Sequence, residues 1–388
     1  MANTLTNLYP DLYAAVNTVS RELVGFIPAV ARDSRAERAA LNQTVRVPVT
    51  GAETARDITP GPTVPDDGDT TVNNRTITIS RSRAVPVRFT GEEIQGLRTQ
   101  DVSNAQDGYQ NIRQERFAQA MRTLVNEVES DIASLYSYAA RAYGTAGTTP
   151  FGTKDDFSDF AGVAQILDDD GAPTTMRQLV GGSAAWFNLR GVQTGVLQRA
   201  NEAGTPEALR NGEFGSIHGM VLRNSGQVKS HTAGTLTDVT ANANAVGTTE
   251  LDVETAASTG EIDVSPGDVI EIAGDSNKYV VAEAATAGAE QASTTITIRE
   301  PGLRQATADG AAISIVSDYT ANLAFHQNAI QLATRVPALP DEGDMAMDRT
   351  VVTDPISGLS FEVAVYPGYR QIHFEVGLAW GYAATKEE

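Results

Sequence analysis

Histidine is the side chain that most often supplies acid–base catalysis or a metal ligand, and this sequence has four: His218, His231, His326 and His373. No two of them have the HxH, HxxxH or HExxH spacing that would bring two imidazoles to one metal ion. The chain has no cysteine, which excludes disulfides, thiol nucleophiles and thiolate-bound zinc. We therefore expect no metal, no cofactor and no catalytic histidine, and we interpret the four rings as surface or partly buried side chains.

Other motif-like segments match known chemistry only in part. Asp168, Asp169 and Asp170 before Gly171 resemble the start of a calcium loop, but the later ligand positions do not follow, so a solvated helix end is favoured. Ser183 in GGSAAW lacks the GxSxG elbow of a serine hydrolase. No GxxxxGK[ST] loop is present to bind phosphate, and GTAGTTPFG has no basic residue after its glycines. The sequence predicts a protein that is not an enzyme.

Arginines are the remaining candidates, for contacts with another subunit or an acidic partner. Only four of the 29 basic residues are lysines, and the forked guanidinium of arginine suits fixed contacts with carboxylates. Arg32, Arg35 and Arg38 recur every three residues, so on a helix they would share one face. Asp33 and Glu37 lie between them, and an ordinary charged helix surface is the favoured alternative.

A second arginine group, Arg81, Arg83 and Arg88, lies in a segment that alternates like a strand. On a strand, Arg81 and Arg83 project to the same side. We expect that side to reach an acidic surface of a neighbouring subunit if the segment packs there.

Composition narrows the class of protein. The chain has 388 residues, a net charge of −20 and 41% hydrophobic residues, which predicts two or three folded domains. Its acidity and the lack of a concentrated basic run argue against a surface that wraps DNA. No run of about 20 apolar residues is present to span a membrane, and the start lacks the features of a signal peptide. We expect a soluble protein made in a cytoplasm.

The N-terminal part is predicted to protrude. Residues 1–43 read as a helical arm, because apolar residues recur at spacings of three and four from Leu12 to Ile27, before Pro28. Residues 44–103 read as a flap of two strands, TVRVPVT and NRTITISRSRAVPVRF, joined by a long exposed segment rich in Gly, Pro, Asp and Thr. Pro48 and Pro86 place both strands at sheet edges. Two strands alone are marginally stable, so the flap needs another surface.

The middle of the chain predicts one long helix. No proline occurs from about Asn104 to Tyr143, and an apolar stripe runs through this segment, which would give a rod of about 60 Å. A helix that crosses a large domain is favoured over a coiled coil, because no strict heptad is sustained. A short helix over 157–167, a strand over 178–182 and a helix reaching residue 203 are expected to follow.

Residues 229–318 differ in composition from their surroundings. They carry four basic and fourteen acidic residues, a net charge of −10, which is half of the total. Six short strands are predicted there: TELDVE, GEIDV, DVIEIA, NKYVVAE, TTITIR and AAISIV. Such strands favour a small, closed or nearly closed β-domain inserted into a mixed α/β body. Two further strands, with a turn at Pro367 and Gly368, are predicted at the C-terminus.

This order of parts resembles the major capsid proteins of tailed double-stranded DNA bacteriophages, which have the Hong Kong 97 fold. More closely, it resembles the branch found in short-tailed Salmonella phages, in which a β-barrel insertion interrupts the apical domain. The motifs that carry the resemblance are TVRVPV in the flap, SPGDVIEIAG in the insertion and GLAWGYAATKEE at the end.

The resemblance implies an α+β fold with defined domains. They are the N-terminal arm (1–43), the extended flap or E-loop (44–103), the spine helix and peripheral domain (104–176), the first part of the apical domain (177–228), the inserted β-domain (229–318), and the apical return with C-terminal peripheral strands (319–388).

The resemblance also implies a function and partners. Copies of the chain would assemble into pentamers and hexamers of an icosahedral virion capsid in the host cytoplasm. Its partners would be a scaffolding protein, a portal protein, packaged double-stranded DNA bound without sequence specificity, and decoration proteins. The flap has no lysine between Thr44 and Thr90, so an isopeptide cross-link from it is not expected. An encapsulin-like bacterial compartment shell is the alternative with this fold, and the insertion favours the phage protein.

Overall fold

The computed structural model describes residues 12, 15–16, 25–49, 55, 57–58, 60–62, 73–99, 107–192, 215–291, 293–354 and 357–386. Within these residues the fold is mixed α/β, with few helices and many strands. The helices are α1 (Gly91–Thr99), α2 (Asp107–Ala133), α3 (Ser158–Asp169) and α4 (Ser183–Val192). Short 3-10 helices cover Ile27–Ala29, Ser134–Tyr138 and Gln327–Ala329.

The strands of the N-terminal half, in chain order, are β1 (Ala31–Ala39), β2 (Thr44–Val49), β3 (Asn73–Thr78), β4 (Arg81–Thr90), β5 (Arg141–Ala142), β6 (Arg177–Gly181), β7 (Ser216–Ile217) and β8 (Met220–Asn224). Those of the middle are β9 (Ser230–His231), β10 (Thr235–Thr237), β11 (Val239–Ala241), β12 (Glu250–Thr255), β13 (Glu261–Val264), β14 (Val269–Ile272), β15 (Lys278–Val280), β16 (Ala285–Ala287), β17 (Thr294–Thr297), β18 (Ala311–Ile315) and β19 (Tyr319–Thr320). Those of the C-terminal part are β20 (Leu323–His326), β21 (Ile330–Pro337), β22 (Asp348–Thr353), β23 (Ser360–Gly368) and β24 (Gln371–Ala384).

The main sheet is built around the long C-terminal strand β24. It has the order β1-β21-β24-β23-β22, and β4 pairs along the free side of β24. Alternate residues of β24, from Ile372 to Trp380, are apolar and buried against α2. Phe117 of α2 meets Phe374 edge to face at 5.2 Å, and Trp380 Nε1 donates to Asp131 Oδ2 at 2.9 Å. Each large buried side chain contributes about 1.5–3 kcal/mol, so this layer forms the principal core.

The long helix is shorter than the sequence predicts. It spans 27 residues, which is about 40 Å rather than 60 Å, and it then tightens into the 3-10 helix Ser134–Tyr138 and the strand β5. Its apolar stripe packs on its own sheet, which confirms the spine interpretation over the coiled coil. Just after the helix ends, the hydroxyl of Tyr136 lies 2.7 Å from Nδ1 of His231. This tertiary contact forms in the segment where the sequence predicts further helix.

The prediction of a helical arm over residues 1–43 is wrong beyond residue 29. Leu12, Ala15 and Val16 are helical and buried in the main core, but β1 pairs with β21 in parallel over Ala31–Ala39. A strand therefore carries the arginines that the sequence placed on one helix face. The ladder with β21 decides this structure, and residue spacing could not reveal a partner almost 300 residues away.

Only part of the predicted flap is found in the structure. β2 and β3 form an antiparallel hairpin, with Thr44 opposite Thr78 and Val49 opposite Asn73. The second part of the predicted flap strand is β4, which belongs to the main sheet and not to the flap. At the base of the hairpin, Ile77 and Ile79 are buried against Ala39, Ala333 and Ala379. A Cβ on Gly381 would overlap the carbonyl of Thr78. A small residue at this position of β24 therefore leaves the space in which the base of the hairpin packs.

A smaller sheet has the order β20-β6-β8-β7, with β6 and β8 parallel. Its core contains Phe151, Phe160, Trp186 and Leu189, with Phe151 stacked on Phe160 at 4.3 Å. The predicted helix over 157–167 and strand over 178–182 are confirmed as α3 and β6. A helix, α4, follows this strand as predicted, but its predicted extension to residue 203 lies outside the described residues.

Residues 229–318, here called the β-module, contain all six predicted strands. Its larger sheet has the order β17-β12-β11-β18-β14-β15, and β5, from outside the module, pairs with β15 at the end of this sheet. Ala282 N donates to Thr297 O at 2.8 Å and Arg299 N to Val280 O at 3.0 Å, so the β15 side is also bonded to the β17 side. The module has its own core, drawn entirely from residues 239–313. β9 and β19 pair with each other, so the chain enters and leaves at one place.

Candidate functional site

Arg81 and Arg83 share one side of a strand, as predicted, but that side faces the protein's own spine helix. Arg81 Nε lies 3.5 Å from Asp131 Oδ2 and Arg83 Nε lies 3.3 Å from Glu127 Oε2. Both arginine side chains remain about half exposed, at 52% and 55%. The acidic surface that they meet is therefore α2 of the same chain.

A surface groove runs beside these two ion pairs, between β4 and α2. Its volume is about 490 Å³. Its lining is polar and carries both signs of charge: Arg81, Arg83, Thr123, Asn126, Glu127, Ser130, Asp131 and Gln227. A groove of this kind suits hydrogen bonding with a polypeptide better than burial of an apolar ligand.

Arg88 points to the opposite face of the main sheet. It is exposed and lies in register with His373 of β24. Its carbonyl accepts a hydrogen bond from Arg116 at 3.2 Å, and the Arg116 guanidinium lies over Phe89. The strand β4 thus separates the three predicted arginines onto two faces.

Two arginines of β1 contact other parts of the same chain. Arg38 Nη2 lies 2.5 Å from Glu362 Oε1, and Arg38 also donates to Pro337 O at 2.7 Å. Arg32 donates to the carbonyl of Ser357. The side chain of Arg35 lies outside what the structure describes. Arg32 and Arg38 therefore tie the N-terminal segment to its own body.

Glu362 belongs to a chain of charges on the face of the sheet opposite the spine. It also lies 3.2 Å from Arg349, which bonds Asp344. The hydrogen bond from Tyr366 is the main cause that lowers the pKa of Asp344 to about 2, with help from Ala346 N and Arg349. Burial, and then the Asp344 carboxylate, raises the pKa of Tyr366 to about 12. This network fixes the loop before β22.

Asp168 and Asp169 lie at an exposed helix end, as predicted, but Asp170 does not. The side chain of Asp170 is 5% exposed and lies 3.0 Å from Arg141, itself 3% exposed, and 3.4 Å from Arg304. Asp168 pairs with Arg177 at 2.6 Å. The three arginines come from β5, β6 and the β-module, so no local spacing signals the cluster. It locks the β-module to α3 and the smaller sheet.

A second junction forms around His231, for which the sequence predicts a surface or partly buried ring but which is buried, at 7% exposed, and has defined partners. Its Nδ1 lies 2.7 Å from the Tyr136 hydroxyl and its Nε2 lies 2.8 Å from Asp268 Oδ1. Asp268 also accepts from Gly234 N and Ser265 N. Burial, and then the Asp268 charge, raises the pKa of Tyr136. The cluster joins the end of the spine helix to the point where the β-module begins.

Large apolar side chains are exposed at several places. Met345 (79%) and Met347 lie before β22, Tyr369 (89%) lies in the turn before β24, and Phe187 lies on α4. Ile58, in the segment between β2 and β3, is 97% exposed. Such residues are candidates for contacts with other chains.

In the described parts of the chain, no group of three or more His, Asp or Glu side chains is arranged to hold a metal ion. No helix in the same residues is both long and apolar enough to cross a bilayer.

Three solved capsid structures are similar to this chain. The capsid of cyanophage P-SCSP1u matches at 10% identity and a TM-score of 0.45, over 95% of this chain and 86% of that chain. The capsid of cyanophage A-1(L) matches at 8% identity and a TM-score of 0.43, over 94% and 88%. The mature capsid of bacteriophage PhiM1 matches at 10% and 0.42, over 93% and 84%. No protein-family model and no curated protein matches the chain.

Proposed function

We propose that this chain is a structural shell protein, the major capsid subunit of a tailed double-stranded DNA phage. The observation that carries the proposal is the β2–β3 hairpin. Beyond its anchored base, Thr44, Arg46, Asn74, Arg75 and Thr76 are exposed. A two-stranded ribbon in water is marginally stable, so it gains its missing contacts from a neighbouring copy. A closed symmetric assembly supplies such contacts to every subunit.

The arrangement of the body supports this proposal. A spine helix on a long sheet, a smaller sheet that shares the core of that helix, and a β-module inserted in the chain between β8 and β20 support an assignment to the peripheral, apical and inserted domains that the sequence resemblance implies. The acidic β-module, whose first strand β9 pairs with β19 directly after its end, would be the inserted barrel of the Salmonella-phage branch. We propose the domain boundaries given above, except that β4 and α1 join the body.

The proposed neighbours follow from the same arrangement. Subunits form pentamers and hexamers around packaged DNA, with scaffolding, portal and decoration proteins as further partners. Arg81, Arg83 and Arg88 are exposed enough to contact a neighbouring copy in addition to their own chain. Arg32, Arg35 and Arg38 are proposed for such contacts at the edge of the body where β1 lies.

Electron microscopy of the purified chain, alone and with a co-expressed scaffolding protein, tests the function. We expect closed shells from the full chain. A variant in which a Gly-Asn turn replaces residues 47–75 should keep the melting transition of the body but form no shells. Thr295→Ala, on the outer side of the β-module, is the control and should assemble normally. Shells from the shortened variant, or only monomers from the full chain under every condition, would contradict the proposal.

A further inference from the structure

A buried carboxylate lies near the C-terminal end of the spine helix. Glu129 of α2 is 1% exposed. Its Oε1 accepts from Ile27 N at 2.6 Å. Its Oε2 accepts from Phe26 N at 2.9 Å, Gly25 N at 3.3 Å and Ser225 Oγ at 2.9 Å. Every one of these four partners is a donor, which is the arrangement that an ionised carboxylate requires.

The four donors come from two segments that are far apart in sequence. Residues 25–27 precede β1, and Ser225 directly follows β8 of the smaller sheet. These segments also touch each other, because a Cβ on Gly25 would lie 2.6 Å from the carbonyl oxygen of Asn224. Residues Phe26, Ile27, Ala29 and Val30 are buried in the same core as α2. We call residues 25–30 the strap.

The electrostatics show why the carboxylate needs all four donors. Burial raises the pKa of Glu129, and the hydrogen bonds from Ile27, Phe26, Ser225 and Gly25 oppose that rise. Burying a charge is costly unless hydrogen bonds replace its water. If either segment moved away from the helix, the carboxylate would lose part of its hydrogen-bond donors. Water would then have to hydrate it, and this would disturb the other segment. The charged groups on the surrounding elements are Arg223 of β8, Arg32 of β1, Glu127 and Asp131 of α2, and Lys229, which bonds Ser130.

We propose that Glu129 is a positioning residue that couples the strap to the smaller sheet, so that both segments dock on the spine helix as one unit. Release of one segment then releases the other. The coupling belongs to the folded subunit and does not depend on the proposed shell, so it is measured on unassembled chains.

Hydrogen exchange read by mass spectrometry tests the coupling in the full-length chain. Glu129→Gln places an NH₂ group among the donors and should raise exchange about tenfold or more in peptides covering both 25–30 and 220–226. Ser225→Ala removes one donor from the second segment and should raise exchange in the strap as well. Peptides from β23 and β24 should stay unchanged, which shows that the fold is intact.

The controls separate coupling from ordinary destabilisation. Glu127→Gln changes a carboxylate on the same helix whose side chain is 37% exposed and bonds Arg83, and it should leave both segments unchanged. In the double variant Glu129→Gln/Ser225→Ala, the effect on the strap should be no larger than that of Glu129→Gln alone, because both changes act through one carboxylate. Exchange that rises in only one segment, or independent effects in the double variant, would overturn the proposal. The expected rise in both segments, found together with a parent chain that forms no shells, would reject the proposed function but leave the coupling intact.

Discussion

At the scale of single residues, Asp170 decides how the β-module is held. Its carboxylate lies between Arg141 and Arg304. Asp170→Asn would leave the buried Arg141 guanidinium close to another cation, and breaking a buried ion pair costs about 3–5 kcal/mol. We expect a loss at the lower end of that range, since Arg304 is 33% exposed and reaches water. Chemical denaturation of the two proteins measures the loss.

The neighbouring residue gives a matched control. Asp169 is also paired with Arg141, at 3.5 Å, but its side chain is 44% exposed. Exposed pairs contribute about 0–1 kcal/mol, so Asp169→Asn should have little effect. Equal losses for the two variants would show that burial of Asp170 is not the cause.

The pKa of Asp344 leads to a prediction about pH. Its folded value, about 2, lies below the ordinary value of 3.8, so its stabilising contribution is full above the unfolded pKa and is lost as the pH falls through about 2. Asp344→Asn should therefore be less stable than the parent protein at pH 5, and the difference should shrink as the pH approaches 2. Urea denaturation at a series of pH values measures it. A difference that does not change with pH would contradict the assignment.

How far the sequence predicts individual residues depends on how local their partners are. Alternation correctly places Arg81 and Arg83 on one side of a strand, because that follows from backbone geometry alone. That α2 is their partner follows only from the pairing of β4 with β24, a strand about 290 residues away from β4 in the sequence. The contacts of Glu129, His231 and Asp170 are invisible to spacing for the same reason.

At the scale of elements, the hairpin base depends on small residues in β24. Gly381→Ala would place a methyl group on the backbone of Thr78, and overpacking of this kind costs about 1–3 kcal/mol. We expect faster hydrogen exchange at residues 76–79 and a lower melting temperature. Gly377→Ala is the matched control, because the atom nearest to its Cβ would be Pro337 Cγ at 3.3 Å, on a side chain. Similar losses in both variants would mean that the hairpin base is not sterically fixed.

The sequence predicts a helix or strand well where a single hydrophobic periodicity runs through the whole element. The six strands of the β-module and the apolar stripe of α2 follow from alternation and helical periodicity. The helical arm was wrong because residues 31–39 carry a charged pattern without a strand period, and only the ladder with β21 makes them a strand. The length of the spine helix was overestimated, because the absence of proline permits a helix but does not require one.

At the scale of the whole molecule, the β-module is expected to be an independent folding unit. Its core lies wholly within residues 239–313, and Ala321 N donates to Lys229 O at 2.9 Å where the chain enters and leaves. Residues 229–318 expressed alone should therefore give a β-type circular dichroism spectrum and a cooperative thermal transition. The rest of the chain, with these residues replaced by a short glycine linker, should also fold. It should be less stable than the full chain, because Arg141, Tyr136 and Asp170 lose partners in the module. A disordered spectrum from the isolated module, with a stable remainder, would mean that the body holds the module's strands in place.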